Sequence, residues 1–133
     1  MFLTVVCTTQ YTVLMGKKEE REQTEEIRSG IASELRRGLI VVLVLSRLER
    51  EQYGYTLMKD LDAAGLPVDQ NTLYPLLRRL ETQGLLASAW KVEEQRPRRY
   101  YTRTTLGTSV LRSLGRDLAG ARKLLEEIER EAQ

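Results

Sequence analysis

The sequence has 133 residues, enough for one ordinary domain and a long helix but too few for two large domains. With no histidine and a single cysteine, Cys7, it cannot build a Ser-His-Asp or Cys-His nucleophilic site, a histidine or Cys-rich metal site, or an intramolecular disulfide. Lys and Arg number 21 against 19 Asp and Glu, a net +2 that does not by itself mark a partner, but residues 68–103 carry 7 basic and 4 acidic groups and concentrate the positive field.

In chain order, the first 16 residues, MFLTVVCTTQYTVLMG, lack a basic start, and Thr8, Thr9, Gln10 and Thr12 interrupt their apolar run. They do not read as a secretory signal. Neither they nor Leu39 to Leu45 supply the roughly 20 apolar residues of a membrane span, so a cytoplasmic protein is expected. Met15 opens the charged stretch MGKKEEREQTEE, which looks like a natural chain start. Residues 1–28 are expected to be a mobile extension. From Ile31 to Leu48 apolar residues crowd together between charged flanks, and the length favours a buried helix over a strand.

Gln52-Tyr53-Gly54 reads as a breaker. A short helix over Tyr55–Ala64 follows, with Leu57, Met58 and Leu61 on one side, and Gly65 stops it. Asp69 is the expected N-cap of the next helix, where Leu73, Leu76, Leu77 and Leu80 keep amphipathic spacing up to Gly84. Two short helices joined by a tight turn make a helix-turn-helix candidate. The period then changes to that of a strand, with Leu86, Ser88, Trp90 and Val92 on one face. Glu94 to Pro97 interrupt, and Arg98 to Thr102 return as the second arm of a basic hairpin. Thr104 is placed to cap a last helix, in which Leu111, Leu114, Leu118, Ala121, Leu125 and Ile128 form a stripe that wants a partner helix.

With the leucines of the second short helix turned inward, Asn71, Pro75, Arg78 and Thr82 point outward, flanked by Thr72, Tyr74 and Arg79. Asn pairs bidentately with adenine, Arg with guanine, and hydroxyls hold phosphates. The amides at this helix's N-terminus are expected to add a phosphate site. Lys91, Arg96, Arg98 and Arg99 on the hairpin complete a basic wing whose attraction to DNA comes from Lys and Arg on phosphates. Trp90, on the hydrophobic strand face, is expected to anchor the base of the wing in the core. Glu93-Glu94 and Glu126-Glu127 are paired only in sequence, so no acid/base pair, catalytic residue, metal or cofactor is expected.

Tyr53-Gly54-Tyr55, the run Thr72-Leu73-Tyr74-Pro75-Leu76-Leu77-Arg78-Arg79-Leu80-Glu81, Gly84-Leu85-Leu86 and Arg96-Pro97-Arg98-Arg99-Tyr100-Tyr101 with Thr104 and Gly107 resemble the PadR family of bacterial transcriptional regulators over roughly residues 35–112. The resemblance implies a winged helix-turn-helix, a mainly α fold of α+β type, held as a homodimer by the C-terminal helix with help from the first. It also implies repression at an operator, relieved in members of the family by small-molecule inducers. The inducer's identity is not written in this chain. Two departures stand out: Arg103 replaces the usual apolar residue before the Thr cap, and neither the first nor the last helix carries an aromatic residue in its expected span to stack on a flat ligand.

The resulting expectation is a winged helix-turn-helix over residues 29–103 and a dimerisation helix over 104–133. Asn71, Thr72, Tyr74, Arg78, Arg79, Lys91, Arg96, Arg98 and Arg99 meet double-stranded DNA, and Leu111, Leu114, Leu118, Ala121, Leu125 and Ile128 meet a second copy. The opposing reading is a winged-helix module that binds a protein and no DNA. Strongly salt-dependent binding to a palindromic duplex separates the two.

Overall fold

In the computed structural model of the chain, the backbone is described from Phe2 to Gln133 and the side chains from Thr12 onward. The first residue and the side chains of residues 1–11, Cys7 among them, lie outside the described residues. The elements run α1 (Phe2–Arg47), β1 (Gln52–Tyr53), α2 (Gly54–Ala63), α3 (Gln70–Thr82), β2 (Leu86–Glu93), β3 (Arg96–Arg103) and α4 (Thr105–Glu131). Two compact units divide the chain, Met1–Gly38 and Leu39–Gln133.

The first unit is helical where the sequence reading began its first helix only at Ile31. The reason is local: Lys, Glu, Gln and Arg dominate residues 17–28 and are good helix formers, and Lys18–Glu22 and Glu25–Arg28 make ion pairs one helical turn apart. Every side chain from Thr12 to Leu39 is exposed.

The second unit holds the core. Ile40, Val44 and Leu45 of α1, with Leu48 just beyond its end, turn inward at helical spacing and meet Leu57 and Leu61 of α2, Leu73, Leu77 and Leu80 of α3, and Leu85, Leu86 and Tyr101. The core is almost wholly aliphatic, as the shortage of aromatics demands. Gly65 and Gly84 lie just beyond the ends of α2 and α3 at φ of 91° and 82°. Each terminates its helix in the same way: the Leu66 amide donates to the Leu61 carbonyl at 3.0 Å, and the Leu85 amide to the Leu80 carbonyl at 2.9 Å. A side chain at either glycine would strain that left-handed turn.

The sheet has the order β1-β3-β2. Gln52-Tyr53, expected to be only a breaker, pairs with Tyr101 and Tyr100 of β3 before the chain enters α2. A two-residue strand carries too little sequence to announce itself. The hairpin is longer and tighter than expected: β2 and β3 pair without interruption from Leu86↔Arg103 to Glu93↔Arg96. Only Glu94 and Gln95 turn, both at positive φ, 52° and 65°. This is the geometry that matches strand twist in two-residue hairpins, built here without the usual Asn or Gly.

The length of the hairpin overturns the role expected for Trp90. Leu86 at the base of β2 is buried, but Trp90 is 67% and Val92 74% exposed. The face stays apolar while the core beneath it ends, because the outer half of the wing extends past the helices that cover its base.

Arg103, the departure noted in the sequence, is half-buried and has a structural task. Its Nη1 donates to the Leu45 carbonyl at 2.8 Å and its Nε to Thr108 Oγ1 at 2.8 Å. One guanidinium thus joins the last turn of α1, the end of β3 and the first turn of α4. It satisfies a helix-end carbonyl that would otherwise lack a donor. Thr104 caps α4 as expected, accepting from the Gly107 amide at 3.0 Å.

Candidate nucleic-acid interface

Asp69 accepts from the Thr72 amide at 2.8 Å and starts α3, while Leu73, Leu77 and Leu80 fix which side faces the core. Asn71, Thr72, Tyr74, Arg78 and Arg79 are consequently all exposed on the other side. The helix runs on through Pro75, which has no amide to give the Asn71 carbonyl, so an acceptor is left at this outward turn. The N-terminal phosphate site needs correction: the Asp69 carboxylate already occupies the Thr72 amide and brings negative charge to that end of the helix.

Tyr74 is held by its surroundings. Its ring lies against Gly54, where an added Cβ would sit 2.9 Å from Tyr74 Cζ and closer still to Cε1. This contact explains why Tyr-Gly-Tyr and Thr-Leu-Tyr-Pro occur together: the glycine of one motif makes room for the tyrosine of the other.

The structure splits the wing's cations between two faces of the hairpin. Lys91 and Arg98 are cross-strand partners on one face, and Trp90 and Arg99 on the other. Lys91 pairs with Glu51. Arg98 stacks over the Tyr53 ring at 4.6 Å, donates to Tyr53 Oη at 3.0 Å and pairs with Glu93 at 3.5 Å. Arg99 reaches back to α3, pairing with Glu81 at 2.7 Å and donating to Ser88 Oγ at 3.0 Å. Among the described residues, Arg78, Arg79 and Arg96 make no ion pair. Half of the six expected DNA-binding cations therefore already have carboxylate partners. Sequence reading missed those partners, Glu51, Glu81 and Glu93, because such pairs across elements follow no local spacing.

Between α3 and the wing opens a cleft of about 390 Å³, lined by Tyr53, Tyr74, Arg78, Trp90, Arg98 and Arg99 among others. Burial holds the Tyr101 phenol above the ordinary tyrosine range, against the opposing pull of Arg99. Tyr100 is raised as well, chiefly by its hydrogen bond with Glu93. Both stay neutral hydroxyls at physiological pH.

The stripe on α4 divides in two. Leu111 and Leu114 are half-buried, and Leu111 packs on the core. From Gly115 to the C-terminus every residue is exposed, including Leu118 at 40%, Leu125 at 57% and Ile128 at 51%, and Ala121. Among the described residues no cluster of acidic, Cys or His side chains fits a metal ion, and no helix is long and apolar enough to cross a membrane.

A helix-turn-helix with a two-stranded wing and a long following helix defines a winged-helix regulator. The sequence matches the transcriptional regulator PadR-like family over residues 42–113. It is 39% identical over 83 residues to the transcriptional regulator Rv3488 of Mycobacterium tuberculosis, covering 62% of this chain and 71% of that protein. The crystal structure of a PadR family transcriptional regulator from Eggerthella lenta superposes with a TM-score of 0.67 at 49% identity, over 77% of this chain and 95% of that one. A transcriptional regulator from Clostridium thermocellum gives 0.64 at 26% identity, over 71% and 96%. The chain belongs to the PadR-like family of transcriptional regulators, proteins that bind DNA and are not enzymes.

Proposed function

We propose that this regulator is a homodimeric repressor that occupies a palindromic operator, with residues 29–103 reading DNA and residues 104–133 joining two copies. The observation that carries the reading is the outward face of α3: Asn71, Thr72, Tyr74, Arg78 and Arg79 are exposed together beside a wing ending in Arg96. Asn and Arg read base edges in a major groove, while Thr, Tyr and the wing cations hold the backbone. The apolar stripe from Leu118 to Ile128 supports a second copy, since a contiguous apolar seam on a small domain gains free energy when a partner helix covers it. Two copies related by a two-fold axis read a site with the same symmetry.

A protection footprint on the DNA flanking its coding region tests this directly. A two-fold symmetric protected site, lost as salt rises, supports the reading, and reduced transcription from that DNA supports repression. Binding to a protein partner with no affinity for any duplex replaces it by the interaction-module reading. An inducer, where one acts, is sought among aliphatic compounds, because neither the stretch Ile31 to Leu48 nor α4 carries an aromatic residue to stack on a flat one.

A further inference from the structure

The wing carries an apolar feature that the fold does not use. Trp90 lies on the same sheet face as the buried Leu86 and Tyr101, four residues beyond the point where the core covers that face. It is nevertheless held in place. Its cross-strand neighbour Arg99 stands over the indole at 5.9 Å and over the Tyr101 ring at 5.5 Å, and is itself tied to Glu81 and Ser88. An exposed tryptophan buttressed by a pinned guanidinium is a surface prepared for contact, because little side-chain freedom remains to be lost on binding.

The cleft in front of it also has a definite polarity. Its lining brings together Tyr74 and the unpaired Arg78 of α3, Arg98 and Arg99 of the wing, and Trp90 as an exposed apolar surface. Arg99 and Arg98 are offset by Glu81 and Glu93, so the cleft has a weak positive excess and not a strong one. A partner that fits it is anionic on one side and apolar on the other. The sugar–phosphate backbone has that character, with phosphate oxygens beside the carbon face of deoxyribose.

We propose that this cleft seats one sugar–phosphate step of a DNA strand, the phosphate between Arg78 and Tyr74 and the deoxyribose packed on Trp90. This rests on the DNA-binding reading of α3 and deepens it by adding an uncharged contact on the wing. The contact carries no sequence information, so it operates on any duplex. It adds affinity without adding to the salt dependence, since Trp90 releases no counterion.

Trp90 is the only tryptophan in the chain, so intrinsic emission reports this cleft alone. The full-length protein is titrated with a labelled 30-base-pair duplex of mixed sequence at low salt, following label anisotropy and Trp90 emission together. The expected result is a blue shift and loss of acrylamide quenching that track the anisotropy. Trp90→Ala should weaken binding about tenfold with an unchanged salt slope, and Trp90→Phe should restore most of it. Far-ultraviolet dichroism of both variants should match the wild type, as befits a side chain outside the core. If anisotropy rises while Trp90 emission and quenching stay constant, or if Trp90→Ala binds within twofold of wild type, the cleft is not a seat although DNA binding stands. If no duplex binds, this inference and the reading beneath it both fall.

Discussion

The salt dependence of DNA binding distinguishes the structure from a simple count of basic residues. Each phosphate neutralised on B-DNA contributes about −0.9 to the slope of log K against log salt. Six cations per copy, Arg78, Arg79, Lys91, Arg96, Arg98 and Arg99, would give a two-copy complex a slope of about −11. Only Arg78, Arg79 and Arg96 are free of ion pairs, however. The other three already have carboxylates beside them, and a phosphate must displace or share those partners. The expected slope is therefore about −5 to −6, a loss of roughly 2,000-fold between 50 and 200 mM salt instead of about three-million-fold. Fluorescence anisotropy over that range measures it. Glu51→Gln should then release Lys91 and steepen the slope by about 0.9 per copy, with tighter binding at low salt. A wild-type slope near −11, or a Glu51→Gln slope equal to wild type, refutes the argument that intramolecular pairing silences these cations.

Four further outcomes are expected. Asn71→Ala should relax sequence preference, with a loss of about 1–3 kcal/mol at a site where it meets adenine, whereas Arg96→Ala should weaken binding to specific and random duplexes alike; competition with random DNA separates the two. Leu118→Glu should place a charge in the α4 stripe and yield monomers at micromolar concentration by sedimentation, while a wild type already monomeric there ends the dimer proposal. Arg103→Ala should cost about 2–3 kcal/mol in denaturant unfolding, because the Leu45 carbonyl and Thr108 lose a charged donor. Replacing Glu94-Gln95 by Asn-Gly should raise stability by about 1–2 kcal/mol, since both positions sit at positive φ; an unchanged or lowered melting temperature contradicts it.

The parts of the molecule written in local chemistry were legible from the sequence. Asp69, Gly65, Gly84 and Thr104 each act within one helical turn, and all four do what their residue types and positions predict. The leucine stripe of α3 likewise determined which residues face outward. What stayed hidden depends on distances along the chain that no short pattern spans. Alternation places Trp90 on the face of the strand that meets the core, but it does not say how far the neighbouring helices extend beneath that face. The pairing of Arg99 with Glu81, and of Lys91 with Glu51, required the wing to be placed against α3 and β1. Gln52-Tyr53 became a strand only because β3 offered an open edge beside it.

The guanidinium of Arg103 has a thermodynamic implication. It bonds to the end of α1, to the first turn of α4 and, through its own backbone, belongs to the strand that carries the wing. A joint of this kind transmits displacement in both directions, and equilibrium coupling between two binding events is reciprocal. If assembly of two copies draws α4 into the arrangement that favours the wing's grip on DNA, the operator must tighten the association of the two copies by the same factor. Operator DNA would then act as a ligand of the dimer equilibrium, and the concentration at which this regulator assembles would be lower on its site than in free solution.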